Sequence, residues 1–74
     1  MNRVLVNSTT MSAVGYNADT FVLEVEFTNG ALYKYFNVPA TVYLRLMNAD
    51  SKGQFYNYYI RDIYDYERVN DDMA

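Results

Sequence analysis

The decisive stretch runs from residue 29 to residue 61. It reads Asn29-Gly30, Tyr33-Lys34-Tyr35, Val38-Pro39, Ser51-Lys52-Gly53, Asn57 and Ile60-Arg61 in unbroken order. Asn-Gly between apolar runs is a hairpin signal, because both residues tolerate the positive φ that a tight turn needs. Pro39 loses nothing at a helix start, where its missing N–H has no partner to lose. Ser51 with Gln54 three residues on has the pattern of a capping box. A strand, a proline-started helix over residues 40–49 and a capped second helix are therefore expected to follow one another.

Upstream of the turn, residues 20–28 alternate. Phe21, Leu23, Val25 and Phe27 take one face, and Val22, Glu24 and Glu26 take the other. The return strand, residues 31–37, has two available registers. A two-residue turn sets Tyr33 and Tyr35 opposite Glu26 and Glu24. A three-residue loop with Gly30 left-handed sets them beside Val25 and Leu23. The second register is favoured because it buries two rings, each contributing about 2 kcal/mol by area.

Residues 3–7 and 12–16 read as short strands, with Gly15 marking a bulge or a close approach. In the first helix Val42, Tyr43, Leu46 and Met47 recur at helical spacing. In the second, Phe55, Tyr59 and Ile63 form the apolar stripe, with Ile60 beside it and Tyr56 and Tyr58 off it. Residues 64–69 alternate loosely and are compatible with extended chain, and residues 70–74 are expected to fray. The fold class is α+β: an antiparallel sheet of three to four strands with two helices on one face. One domain is expected over residues 1–74, with an ordered core from about residue 3 to residue 69.

Composition narrows the chemistry. The 74 residues include nine Tyr and four Phe, no Cys and no His, at a net charge of −3. Without His or Cys there is no nucleophile–imidazole pair and no zinc-type ligand set. The three glycines are scattered, so no phosphate-cradling loop is present. The remaining acid–base candidates, Glu24 and Glu26, read as the solvated side of an amphipathic strand. No catalysis, metal or cofactor is expected. The opening residues are too short for a signal peptide and no apolar run reaches membrane-spanning length, so a cytoplasmic protein with no membrane partner is expected.

Binding is the function class that remains. Ser51, Lys52 and Gly53 form the candidate anion site, since a helix start presents free N–H groups and the positive end of the helix dipole. Gly53 inside a first helical turn costs helix stability and so points to a close neighbour. Asn57 and Arg61 make one i,i+4 polar strip. Tyr33, Tyr35 and Tyr56 are candidate stacking surfaces for bases. The partners expected are a nucleotide or short RNA, or a second copy of the chain in a two-fold dimer. A protein-interaction or self-assembly module without a small ligand is the alternative.

The pieces Val14-Gly15-Tyr16, Leu23-Glu24-Val25-Glu26-Phe27, Asn29-Gly30, Tyr33-Lys34-Tyr35, Val38-Pro39 and Ser51-Lys52-Gly53 through Ile60-Arg61 together resemble the KTSC domain. The resemblance runs from about Val4 to Val69. It implies a small module of the kind found at the C-terminus of certain lysyl-tRNA synthetases and in short stand-alone proteins of bacteria and phages. That association implies nucleic acid as a class of partner.

Overall fold

The computed structural model describes residues 3–69; the fraying expected for residues 70–74 falls outside them. Five strands form one antiparallel sheet in sequence order: β1 (Arg3–Leu5), β2 (Met11–Asn17), β3 (Val22–Phe27), β4 (Leu32–Tyr35) and β5 (Tyr66–Arg68). Helices α1 (Ala40–Asn48) and α2 (Lys52–Tyr59) lie between β4 and β5 in the chain. The α+β expectation holds, and the loosely alternating tail supplies a fifth strand on the free edge of β4. Two backbone bonds anchor that strand, Phe36 N to Asp65 O at 2.9 Å and Val69 N to Leu32 O at 2.7 Å.

The hairpin takes the three-residue loop. Phe27 N donates to Ala31 O at 2.8 Å, and Gly30 sits at φ +94°, where a side chain would be strained. The register pairs Leu23 with Tyr35 and Val25 with Tyr33, as the ring-burial argument requires. The strand before the loop is shorter than its alternation implies. Asn17 Oδ1 accepts from Asp19 N at 2.9 Å and Thr20 N at 3.3 Å, winding residues 18–21 into a turn. Phe21 ends that turn left-handed at φ 59° and half exposed, so it leaves the apolar row. The irregularity in β2 falls between Met11 and Ala13, not at Gly15. Ser12 is the extra residue, and its hydroxyl donates to Glu26 O at 3.2 Å.

The core lies between the inner sheet face and the helices. Met11, Val14, Leu23, Val25 and Tyr35 meet Val38, Leu46 of α1, Tyr56 of α2 and Ile60 just past its end. Pro39 is the N-cap of α1, which begins at Ala40 as expected, and its carbonyl accepts from Val42 N at 3.0 Å. The stripe expected on α2 is corrected. Tyr56 and Ile60 are buried, whereas Tyr59 and Ile63 are exposed. The helix ends at Tyr59 with Ile60 as its C-cap, so Ile63 lies beyond the helical register.

On the outer face the registers align Arg3, Gly15, Glu24, Lys34 and Glu67 in one row across the sheet. Glu24 is only 8% exposed, contrary to its expected solvation. Gly15 carries no side chain between them, so the Arg3 guanidinium crosses β2 and meets the Glu24 carboxylate at 2.5 Å. Glu24 is thereby held as half of an ion pair, and a buried carboxylate needs such a partner.

The Gly53 expectation of a close neighbour is met by the chain itself. A Cβ built at Gly53 would lie 2.8 Å from Thr10 Oγ1 and 3.4 Å from Thr10 Cβ. Gly53→Ala is therefore expected to lower stability by about 1 kcal/mol despite its better helix propensity. Adding Thr10→Ala removes the clashing hydroxyl and leaves an ordinary contact, so the double variant should regain the loss. Denaturant midpoints of the two variants and the parent check this.

Candidate functional site

The row of tyrosines is a product of strand pairing. Tyr16, Leu23, Tyr35 and Tyr66 stand in one cross-strand line; Val14, Val25, Tyr33 and Arg68 stand in the next. Tyr33 and Tyr66 stack with centroids 5.5 Å apart and planes 17° from parallel. Tyr33 and Tyr35 stack at 6.2 Å and 25°. Phe27 meets Tyr33 edge-on at 5.7 Å and Tyr56 at 5.2 Å. Each such contact adds about 0.5–1.5 kcal/mol beyond area burial.

These rings line a cleft of about 400 Å³ between β4, β5 and the end of α2, together with Asn29, Ala31, Arg61 and Asp62. Arg61 and Asp62 follow Ile60 in the turn that leaves the helix, and both are exposed. Arg61 forms no ion pair with another described residue.

At the buried end of the cleft the Tyr35 and Tyr56 hydroxyls share a short hydrogen bond. Tyr35 is 1% exposed and Tyr56 8% exposed. One hydroxyl donates to the other, and either can be the donor. Burial pushes the Tyr35 phenol far above its ordinary pKa, and its hydrogen bond with Tyr56 adds to the rise. Burial also raises Tyr56, with its hydrogen bond with Tyr35 and the charge of Arg61 pulling the other way.

The sequence candidates fall into two places. Tyr33, Tyr35, Tyr56 and Arg61 come together in the aromatic cleft. Ser51, Lys52 and Gly53 line a separate hollow of about 200 Å³, closed by residues 7–10 of the β1–β2 loop and by Asp50. Ser51 Oγ caps α2 by accepting from Gln54 N at 3.3 Å. Lys52 Nζ turns back to donate to Ala49 O at 3.2 Å, at the C-terminal end of α1 where a cation is favoured. Asn57 is exposed and lines neither hollow. Tyr66, which sequence counts among the surplus tyrosines for self-association, and Asp62 also line the cleft, though neither was a ligand-binding candidate. The alternation of residues 64–69 held the signal for Tyr66, whereas the place of Asp62 depends on where α2 stops.

The tyrosine pair fixes a pH dependence. The folded state holds both phenols neutral above the ordinary value of 10.0, while the unfolded chain ionises there. Above that value the folded protein binds more protons than the unfolded one, so stability falls as pH rises. The contribution is complete below pH 10 and is lost progressively above it. Melting temperatures from pH 8 to 11.5 should show this fall, and Tyr35→Phe should shrink it.

No described helix is long and apolar enough to cross a membrane. The KTSC domain family matches residues 7–66. The crystal structure of a KTSC domain protein from Yersinia pestis superposes with a TM-score of 0.89 at 30% identity, covering 93% of this chain and 97% of that one. An uncharacterized protein of Stutzerimonas stutzeri is 44% identical over 57 residues, which is 77% of this chain and 80% of the relative. A lysine–tRNA ligase of Nostoc is 40% identical over 60 residues, 81% of this chain but only 11% of the ligase. The resemblance drawn from the hairpin, the tyrosines and the capped helix is thus met in fold and in sequence: the chain belongs to the KTSC domain family.

Proposed function

We propose that this protein is a non-catalytic recognition module that takes the base of a nucleotide, or an unpaired base of a short RNA, into the aromatic cleft. The observation that carries the reading is the convergence of Tyr33, Tyr35, Tyr56 and Tyr66 with Arg61 around about 400 Å³. Small-molecule sites commonly have this size, mostly ring-lined walls and a few polar groups. Half-exposed Tyr66 and partly buried Tyr33 offer stacking area to any base, and Arg61 offers charge-assisted hydrogen bonds to its oxygens. The lysine–tRNA ligase relative supports the reading, since that protein is named for an RNA substrate. With a net charge of −3, the chain needs such a local cation to hold an anionic ligand.

The test is calorimetric titration with nucleoside monophosphates and short RNA at low and high salt. Arg61→Ala and Tyr66→Ala should each weaken binding at least tenfold, which is about 1.4 kcal/mol. Lys52→Ala should change it little. An equal loss from Lys52→Ala would move the anion to the hollow at the start of α2.

A second reading, a self-assembly module, is favoured by Tyr58 at 73% and Ile63 at 64% exposure, beside Tyr59. Arg45 lies over the Phe55 and Tyr59 rings at 5.4 and 5.2 Å from their centroids, so this face joins an arginine to aromatic rings. Exposed aromatics with an arginine are typical of interface centres. On this reading, light scattering at high micromolar concentration gives a dimer mass that Tyr58→Glu returns to monomer; a monomer mass for the parent rejects it.

A further inference from the structure

The edge strand β5 sorts its charges by face. The bonds from Phe36 N to Asp65 O and from Val69 N to Leu32 O mark hydrogen-bonded pairs at the two ends of the β4–β5 ladder. Antiparallel alternation then makes Lys34 and Glu67 the hydrogen-bonded pair between them. Tyr33 with Arg68 and Tyr35 with Tyr66 are left as the non-hydrogen-bonded pairs, whose Cα atoms approach to about 4.5 Å and whose side chains stand closest. Directly paired residues share a face, so Arg68 stands beside Tyr33 on the face of the sheet that forms the cleft, two residues after Tyr66. Glu67, between them in the chain, points with Lys34 to the outer face. An acidic chain thus turns the carboxylate of this strand away from the cleft and the guanidinium toward it.

Resting on the reading of this cleft as a base site, we propose that Arg68 is a further binding residue, and that it holds the phosphate of a ligand whose base stacks on the cleft tyrosines. Stacking area takes any base and does not tell a nucleoside from a nucleotide. Charge does. A guanidinium meets phosphate with paired N–H donors and stays charged at every working pH. Arg68 is exposed on the open edge of the sheet, so a phosphate there keeps water on its far side and avoids the cost of full burial. Arg61 lines the same cleft, and the two cations outnumber the Asp62 carboxylate that lines it with them. They oppose the repulsion that a chain at −3 exerts on an anion. The phosphate is a monoester in a free nucleotide and a diester in RNA, and the recognising chemistry is the same for both. A charge on an edge strand also resists pairing with other chains, a role that involves no ligand and that binding measurements separate from this one.

The test titrates the full-length protein at low salt with adenosine, AMP and the hexamer rA6. AMP should bind about tenfold more tightly than adenosine. Arg68→Ala should weaken AMP by about fivefold or more while leaving adenosine within about twofold, and Arg68→Lys, which keeps the charge but not the paired donors, should fall between Ala and the parent. Arg68 is exposed and outside the core, so these variants keep their fold. Equal affinities for AMP and rA6 identify a free nucleotide as the source of the phosphate. A hexamer bound about tenfold more tightly than AMP identifies the RNA backbone, and Arg68→Ala should then lower the slope of log affinity against log salt by about 0.7, the share of one phosphate contact on a single strand. Adenosine binding as tightly as AMP, an AMP affinity unchanged by Arg68→Ala, or equal losses for adenosine and AMP in that variant overturns the role of Arg68 and leaves the base site standing. No binding by any of these ligands at millimolar concentration overturns the base site and the role of Arg68 with it.

Discussion

Gly30 at φ +94° closes a three-residue loop, and that loop sets the register of β4 against β3. One residue of slip would turn Tyr33 and Tyr35 to the outer face, among Glu24 and Glu26. In the register taken, Tyr35 enters the core and its hydroxyl meets that of Tyr56 on α2. The same register puts Lys34 in the outer row with Glu24. Core, cleft and outer face therefore all depend on how three residues turn the chain.

The tyrosine pair is the polar tie between sheet and helix. A small domain has little interior to spend, and rings supply area with few rotatable bonds. Their hydroxyls must then be satisfied inside. Tyr35 and Tyr56 satisfy each other through the hydrogen bond that they share. Tyr16 solves the same problem differently, stacking on Tyr43 at 5.0 Å and donating to Val38 O at 2.6 Å.

The outer face shows a parallel economy. Glu24 would be costly to bury alone, and Gly15 leaves the gap through which Arg3 reaches it. Gly53 does comparable work at the start of α2, where Thr10 occupies the space a Cβ would need. In both places a missing side chain allows a neighbour to approach, and neither is a ligand contact.

Local chemistry made much of this legible in sequence. Asn29-Gly30 marked the hairpin, ring burial chose its register, Pro39 and Ser51 marked helix starts, and the spacing of Leu46 marked the buried face of α1. The family resemblance rested on those same residues. Tertiary structure decided what periodicity could not. The Asx turn at Asn17 pulled Phe21 out of its strand. The early end of α2 left Ile63 exposed. Lys52 and Arg61 went to different hollows, since Lys52 opens α2 and Arg61 lies beyond its end. Tyr66 reached the cleft because β4 had an open edge on which the alternating tail could pair. Turn and cap signals act over four or five residues and are read from them; a cleft is built where distant segments end, and only the packed chain determines that.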